Sequence, residues 1–168
     1  LTGVISDNAS NMYLYGLVDN GSANNTLVYK MSLDGFQVWS KVFTSEPSID
    51  MFALDYSQTY IYFVLKDPAS LILVRIFTNN GSLDKILKSS TLLYTDYSQH
   101  KLFVSPTTQT VFISTKEIGF MTLDFCRYND PATNFDCLQM QNNDFSMAVT
   151  AVDSNVAYFT TLQSTTSK

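Results

Sequence analysis

The chain has 168 residues, enough for one domain with a sizeable core, and its hydrophobic content of 45% excludes an intrinsically disordered protein. Its formal net charge is -5 and its basic residues are scattered, so we expect no nucleic acid partner, because a phosphate backbone needs a concentrated basic stripe. Only 15% of the residues are charged, which predicts a polar but weakly charged surface.

The first part of the sequence predicts four short strands. They cover residues 1–6, 12–18, 27–32 and 36–43. Asp34-Gly35 separates the third strand from the fourth and predicts a tight hairpin, because glycine tolerates positive φ at no steric cost. The second strand overlaps the phrase SNMYLYG at residues 10–16, which is a small polar opening followed by aromatic and apolar residues.

The same order of strands recurs further along the chain. A second set covers residues 51–55, 60–65, 71–77 and 83–88, and a third covers 101–105, 111–115, 119–125 and 137–140. A fourth set has only two strands, at residues 147–152 and 156–162. The richest apolar run, YIYFVL at 60–65, is far shorter than a membrane-spanning helix requires, so we expect no membrane span.

Versions of the phrase begin at Ser10, Ser57, Thr108 and Ser154, at spacings of 46 to 51 residues. A repeat of this length with four antiparallel strands is typical of a β-propeller. We therefore predict an all-β propeller segment of three full blades and a half blade, about 14 strands in one domain. The predicted blades cover approximately residues 1–49, 50–95 and 96–145, with the half blade at 146–168. The aromatic residues of the phrase are expected to pack between blades rather than stack on a ligand.

Residues 29–43, YKMSLDGFQVWSKVF, resemble the strand, Asp-Gly turn and following Trp of quinoprotein-like (PQQ-repeat) propellers. They also resemble propeller segments of large secreted surface proteins of ciliates and other protists. The resemblance is specific in the first blade, since the second keeps Gly81 without a Trp and the third replaces the turn with RYNDPATN. It implies the propeller fold. No residue matches the quinone chemistry, so no cofactor and no catalytic role carry over.

Two cysteines, Cys126 and Cys137, flank the loop RYNDPATNFD in the third repeat. They are expected to face each other across a hairpin and form a disulfide. Closing so short a loop contributes about 2 to 3 kcal/mol in the chain-entropy model and would fix the register where the Asp-Gly turn is missing. The alternative is two buried thiols in a reducing compartment.

Four N-x-Ser/Thr sequons indicate N-linked glycans, at Asn8, Asn20, Asn24 and Asn80. Their number is weak evidence in a chain so rich in Asn, Ser and Thr. All four fall in predicted turns, where a glycan would be tolerated, although Asn also favours turns for conformational reasons. Together with the cysteines, they predict an extracellular or cell-surface protein.

Candidate catalytic and metal-binding groups are few. His100 is the only histidine, and we expect it in an exposed loop before a strand. Asn129, Asp130, Asn134 and Asp136 offer oxygen atoms to a hard cation, but Pro131 and the irregular spacing match no known calcium loop. The expectation is that the chain is not an enzyme and binds no metal.

The last predicted strand carries no Pro and no charge, so its outer edge is open to pairing with another strand. This assembly edge consists of Val156, Ala157, Tyr158, Phe159, Thr160, Thr161 and Leu162. We expect it to be completed by a neighbouring copy through strand addition or by downstream sequence of the same chain. The start at Leu1 and the stop after an apolar run are interpreted as those of a mature or excised piece of a longer protein.

Two functions remain open. The first is a non-catalytic extracellular structural or adhesive glycoprotein that assembles through the open edge into a larger polymer or filament. The second is the ligand-binding or catalytic propeller portion of a larger secreted enzyme or surface receptor, with its site at the propeller axis. Missing catalytic groups, low charge and the half blade favour the first, although the fold alone does not distinguish them.

Overall fold

A computed structural model describes most of the backbone. The described residues are 1–19, 21, 24–43, 49–67, 70–89, 97–105, 110–117, 122–129, 135–141, 145–153 and 156–163. Side chains are described for residues 1–19, 21, 25–43, 52–65, 72–88, 102–105, 110–113, 126–129 and 135.

The described residues form 14 strands in four antiparallel sheets. The first sheet contains β1 (Gly3–Ser6), β2 (Met12–Asp19), β3 (Asn24–Met31) and β4 (Gln37–Phe43). The second contains β5 (Ile49–Leu54), β6 (Tyr60–Asp67), β7 (Ser70–Phe77) and β8 (Leu83–Ser89). The third contains β9 (Tyr97–Val104), β10 (Val111–Glu117), β11 (Thr122–Tyr128) and β12 (Asp136–Gln141). The fourth is the hairpin of β13 (Phe145–Asp153) and β14 (Val156–Gln163).

Each of the three larger sheets is a meander, in which every strand pairs with its neighbours in the sequence. No helix occurs in the part of the chain that the structure describes. The prediction of an all-β chain built from four-stranded antiparallel sheets is therefore confirmed. None of the sheets closes on itself.

The hairpin between β3 and β4 forms at the predicted Asp-Gly sequence. Gly35 has a φ of 83°, its N–H donates to the Ser32 carbonyl, and the Ser32 N–H donates to the Phe36 carbonyl. Gly81 occupies the corresponding turn of the second sheet with a φ of 67°. A Cβ at Gly81 would lie 2.8 Å from the Trp39 ring, so this turn requires glycine both for its backbone and for the indole packed on it.

The turns between the first and second strands set the true register of the repeat. Asp7 donates its N–H to the Asn11 carbonyl, whereas Asp55 donates to the Tyr60 carbonyl, so the second turn is one residue longer. Aligning the phrases on Ser10 and Ser57 places Tyr13 with Tyr60. The strand pairing instead makes Tyr13 equivalent to Tyr62, because Tyr13 lies opposite Ile5 and Tyr62 opposite Ala53, each two residues before the turn Asp.

The second sheet lies between the first and the third. Alternate residues of β6 face opposite sides, as a pleated strand requires. Ile61 and Phe63 pack in one core cluster with residues of the first sheet, and Tyr62 and Val64 pack in another with residues of the third. All four are buried. Two layers of apolar side chains therefore hold three successive sheets face to face.

The first strands of successive sheets lie side by side. β1 contacts β5, β5 contacts β9, and β9 contacts β13. Since each sheet keeps its sequential strand order, the later strands lie progressively farther from this line of first strands.

Candidate functional site

A basic residue recurs at one position of the third strand in each four-stranded sheet. Lys30 lies directly opposite Tyr13, Arg75 opposite Tyr62, and Arg127 opposite Phe112. The three aromatic residues are equivalent and buried. This repeat is not evident from the sequence alone, because the basic residues lie at unequal distances along the chain from their aromatic partners and only the strand pairing aligns them.

At the junction of the first two sheets, two donors from the first sheet meet one carbonyl of the second. Trp39 Nε1 and Lys30 Nζ donate to the Thr78 carbonyl at 3.0 and 3.1 Å. The Lys30 ammonium also lies 5.1 Å from the centre of the Tyr13 ring. Thr78 is buried and its hydroxyl donates to the Gln58 carbonyl at 2.6 Å. This junction therefore contains a group of hydrogen bonds within an apolar interface.

Asp7 stabilises the turn between β1 and β2 and is bonded to Tyr13 of this junction. Its carboxylate accepts hydrogen bonds from the Asn11 backbone and side chain at 2.9 and 2.8 Å, and from the Tyr13 hydroxyl at 2.9 Å. Partial burial raises the pKa of Asp7, but these hydrogen bonds outweigh it and hold the pKa below its ordinary value of 3.8. Burial, together with the hydrogen bond to Asp7, raises the pKa of Tyr13 above its ordinary value of 10.0.

The second sheet uses a different arrangement at the equivalent position. Arg75 is buried and forms a salt bridge with Asp84, with its Nε 2.6 Å from the carboxylate. Its guanidinium also donates to the Tyr62 hydroxyl at 3.3 Å and lies 4.5 Å from the Tyr60 ring centre. Burial raises the pKa of Tyr62, although Arg75 opposes the shift.

A polar contact from the second sheet to the third is made by Lys85. Its ammonium donates to the Tyr128 hydroxyl at 2.9 Å and lies 5.6 Å from the centre of that ring. Trp39 and Lys85 occupy equivalent positions, because they pair with Lys30 and Arg75. The described polar groups at both junctions bond to other groups of the chain and connect one sheet to the next.

The two cysteines lie at directly paired positions. Cys126 of β11 is the register partner of Cys137 of β12, and Cys126 is buried. Paired residues of antiparallel strands have Cα atoms about 4.5 to 5.5 Å apart, which lies within the range that a disulfide spans. The pairing across a hairpin is as predicted, whereas the disulfide itself stays a prediction.

Two sequons lie in exposed turns. Asn8 is exposed, and its backbone N–H donates to Gln58 Oε1 at 3.0 Å. Asn80 is exposed, and its side-chain oxygen accepts the Ser82 N–H at 2.8 Å. A glycan would be attached to the side-chain nitrogen, which this bond does not use.

The sequon at Asn24 lies in a strand and not in a turn. Asn24 begins β3 and pairs with Asp19, so the prediction that all four sequons lie in turns is wrong for Asn24. The reason is that β2 extends to Asp19 and supplies a partner for the start of β3. Asn20 lies outside the described residues.

His100 lies within β9, paired with Thr115, and not in a loop before the strand as predicted. β9 begins at Tyr97 because β10 continues to Glu117 and pairs with it. Across the described side chains, no group of three or more His, Cys, Asp and Glu residues is placed to hold a metal ion.

The candidate cation loop is only partly described. The Asn129 side-chain oxygen accepts the Thr110 hydroxyl at 2.5 Å, and Asp136 begins β12 opposite Arg127. Asp130 and Asn134 lie outside the described residues. In the described part of this loop, one of the four oxygen-bearing side chains, that of Asn129, thus anchors the turn before β10.

The predicted assembly edge lies in β14. This strand pairs with β13 from Phe145↔Gln163 to Asp153↔Val156, and in the described sheets it has no partner on its other side. A strand edge without a partner strand is the kind of surface to which another strand adds.

No family model, curated protein or solved structure matches the chain. The resemblance of residues 29–43 to quinoprotein-like propellers therefore stays a prediction. The described residues include no helix that is long and apolar enough to cross a membrane.

Proposed function

We propose that this chain is a non-catalytic segment of an extracellular structural or adhesive glycoprotein, folded as part of a β-propeller, and that it assembles through the open edge of β14. The single observation that carries this proposal is the one-sided pairing of β14 among the described strands. Unpaired backbone groups in a strand are a template for another chain, and β14 contains no Pro or charge to prevent pairing.

The stacking of the sheets supports the propeller. In a propeller, four-stranded meanders are arranged radially and their first strands line the axis. The three larger sheets have that strand order, and their first strands are the ones that adjoin. Three four-stranded sheets and one hairpin are fewer than the four full blades of about the smallest closed propeller.

The junctions support a structural role. Lys30, Arg75 and Lys85 could each bind an anion in an open pocket, but their charged ends contact carbonyl, carboxylate or hydroxyl groups of the chain itself. Such contacts rigidify the stack of sheets. They are consistent with a protein that has to keep its shape while copies are added to it.

The compartment is proposed from the sequons and cysteines. Asn8 and Asn80 are exposed in turns and can accept glycans, and the Cys126–Cys137 register suits a disulfide. Peptide mapping of native protein without reduction tests both features. Recovery of two free thiols together with unmodified Asn at every sequon would rule out the extracellular assignment.

Proline substitutions in β14 test the assembly edge. Neighbouring residues of an antiparallel strand direct their N–H groups to opposite sides, so Phe159→Pro and Thr160→Pro remove donors from different sides. One variant should keep the folded hairpin but assemble at least about tenfold less well, and the other should disrupt the β13 pairing. Sedimentation across a concentration series measures both. The proposal fails if wild type and both variants sediment alike.

A further inference from the structure

The first sheet has an apolar face on the side away from the second sheet. Residues that alternate with the buried Tyr13 point to this side, and their cross-strand partners follow them. The face consists of Val4, Met12, Leu14, Leu27, Tyr29 and Met31. Val4 is 55% exposed and the other five are partly buried.

The same face of the second sheet is buried by the first sheet. By the register of the turns, Met12 and Leu14 are equivalent to Ile61 and Phe63, which are both 0% exposed. Across the strand pair, Tyr29 and Met31 are equivalent to Val74 and Ile76. Those two are also buried in the cluster shared with the first sheet. The outer face of the first sheet is therefore equivalent to the face of the second sheet that the first sheet covers.

The composition of this outer face fits an interface rather than a solvated surface. Its remaining paired strand positions are Ser6, Gly16, Val18, Asn25, Gln37, Ser40 and Val42. None of the thirteen positions is charged. By contrast, Lys30 and Lys41 lie on the opposite face of the same sheet, opposite Tyr13 and Val28. A largely apolar sheet face without charged side chains marks an interaction site.

We infer that this outer face binds the β13–β14 hairpin of a second copy of the chain. In the stack, such a face packs against the sheet before it. The first sheet packs on the second through the face of Tyr13, Val28 and Trp39, which we call its forward face. The outer face of the first sheet therefore fits the forward face of a preceding sheet. In one copy, the forward faces of the first and second sheets are covered by the sheets that follow them. β13 lies beside β9, so the hairpin extends the stack at its last described position.

This inference rests on the proposed assembly of copies of the chain but uses a different contact, face to face rather than edge to edge. The two contacting surfaces differ, so the interface is heterologous and repeats from copy to copy. It produces a ring if its rotation closes and an open filament if it does not.

Photo-crosslinking tests the contact directly. With p-benzoylphenylalanine in place of Tyr29, irradiation of the assembled chain should join this position to residues 145–163 of another copy. Mixing isotopically light and heavy chains identifies crosslinks between copies. Crosslinks to any other segment, or none between copies, would overturn the inference.

Charge substitution provides the matched control. Val4→Glu places a carboxylate in the face and should weaken self-association at least about tenfold, because the charge would be desolvated without a partner. Leu83→Glu adds the same charge on the second sheet at a residue of similar exposure, 52% against 55%, and should leave association unchanged. Circular dichroism verifies the fold of both variants. Equal association of Val4→Glu and wild type contradicts the inference.

The β14 proline variants separate this inference from the proposed strand addition. If Val4→Glu abolishes association and neither proline variant does, the face contact stands and strand addition fails. If only a proline variant abolishes association, strand addition stands and the face contact fails.

Discussion

The two described junctions between sheets solve the same packing problem with different chemistry. In the first, a large buried indole and a lysine bond to the Thr78 carbonyl of the next sheet. In the second, the equivalent basic residue, Arg75, is neutralised within its own sheet by Asp84, and Lys85 reaches the Tyr128 hydroxyl of the next sheet. The repeat therefore preserves the position of each contact more strictly than the residue that makes it.

The difference also predicts unequal stability. The first junction joins polar contacts to the burial of a Trp against Gly81. The second takes its cross-sheet polar contact from a lysine that is only partly buried. Because large apolar burial contributes more than a partly solvated hydrogen bond, we expect the first junction to dominate stability.

Trp39→Ala should have the largest effect. Trp39 is 8% exposed, and its removal leaves a cavity above Gly81 as well as one fewer donor to Thr78. We expect the free energy of unfolding to fall by about 3 to 5 kcal/mol, measured by urea titration. A loss below about 1 kcal/mol would show that the first junction is not the stronger one.

Asp84→Asn should have the next largest effect because it leaves the buried Arg75 without its carboxylate. The expected loss is about 2 to 3 kcal/mol of unfolding free energy. Asp34→Asn makes the same change at an exposed turn position, where Asn-Gly also suits a hairpin, and should be close to neutral. Equal losses in the two variants would argue against a structural role for the salt bridge.

Asp7→Asn should destabilise the first junction by about 1.5 kcal/mol at pH 7, because the carboxylate accepts several hydrogen bonds there. The folded-state pKa of Asp7 is lowered, so its charge stabilises the fold fully above the ordinary value of 3.8. That stabilisation is lost as the pH falls through the lowered pKa. The gap between wild type and variant should therefore shrink at acidic pH. A gap that stays constant from pH 7 to the acidic limit of folding would refute this assignment.

Lys85→Met should have the smallest effect. The methionine retains the packing of the lysine stem and removes the bond to Tyr128 and the ring contact. We expect a loss below about 1 kcal/mol. A larger loss than that of Trp39→Ala would reverse the ranking of the two junctions.

The sequence predicted the strands well because their signals are local. Each predicted strand overlaps an observed one, and the Asp34-Gly35 turn forms where expected. Strand ends were less accurate, since pairing decides them: β3 begins at Asn24 because β2 extends to Asp19, and β9 includes His100 because β10 continues to Glu117.

The contacts between sheets were much harder to predict. Aligning the phrases by their opening Ser places Tyr13 with Tyr60, two residues before its equivalent Tyr62, and so hides the basic residues opposite the equivalent aromatics. In the sequence, Gly81 marks only a turn, whereas in the structure it also accommodates a Trp from the preceding sheet. Such contacts depend on which strand faces pack together, and a single sequence contains no direct record of that.

The most direct test of the account is the mass of the particle that the 168-residue chain forms in solution. Mass photometry and sedimentation over a wide concentration range would measure it without labels. Head-to-tail assembly predicts particles at multiples of the 18.9 kDa chain mass that grow with concentration, with any glycan adding to each copy. A monodisperse 18.9 kDa monomer at every concentration would contradict it.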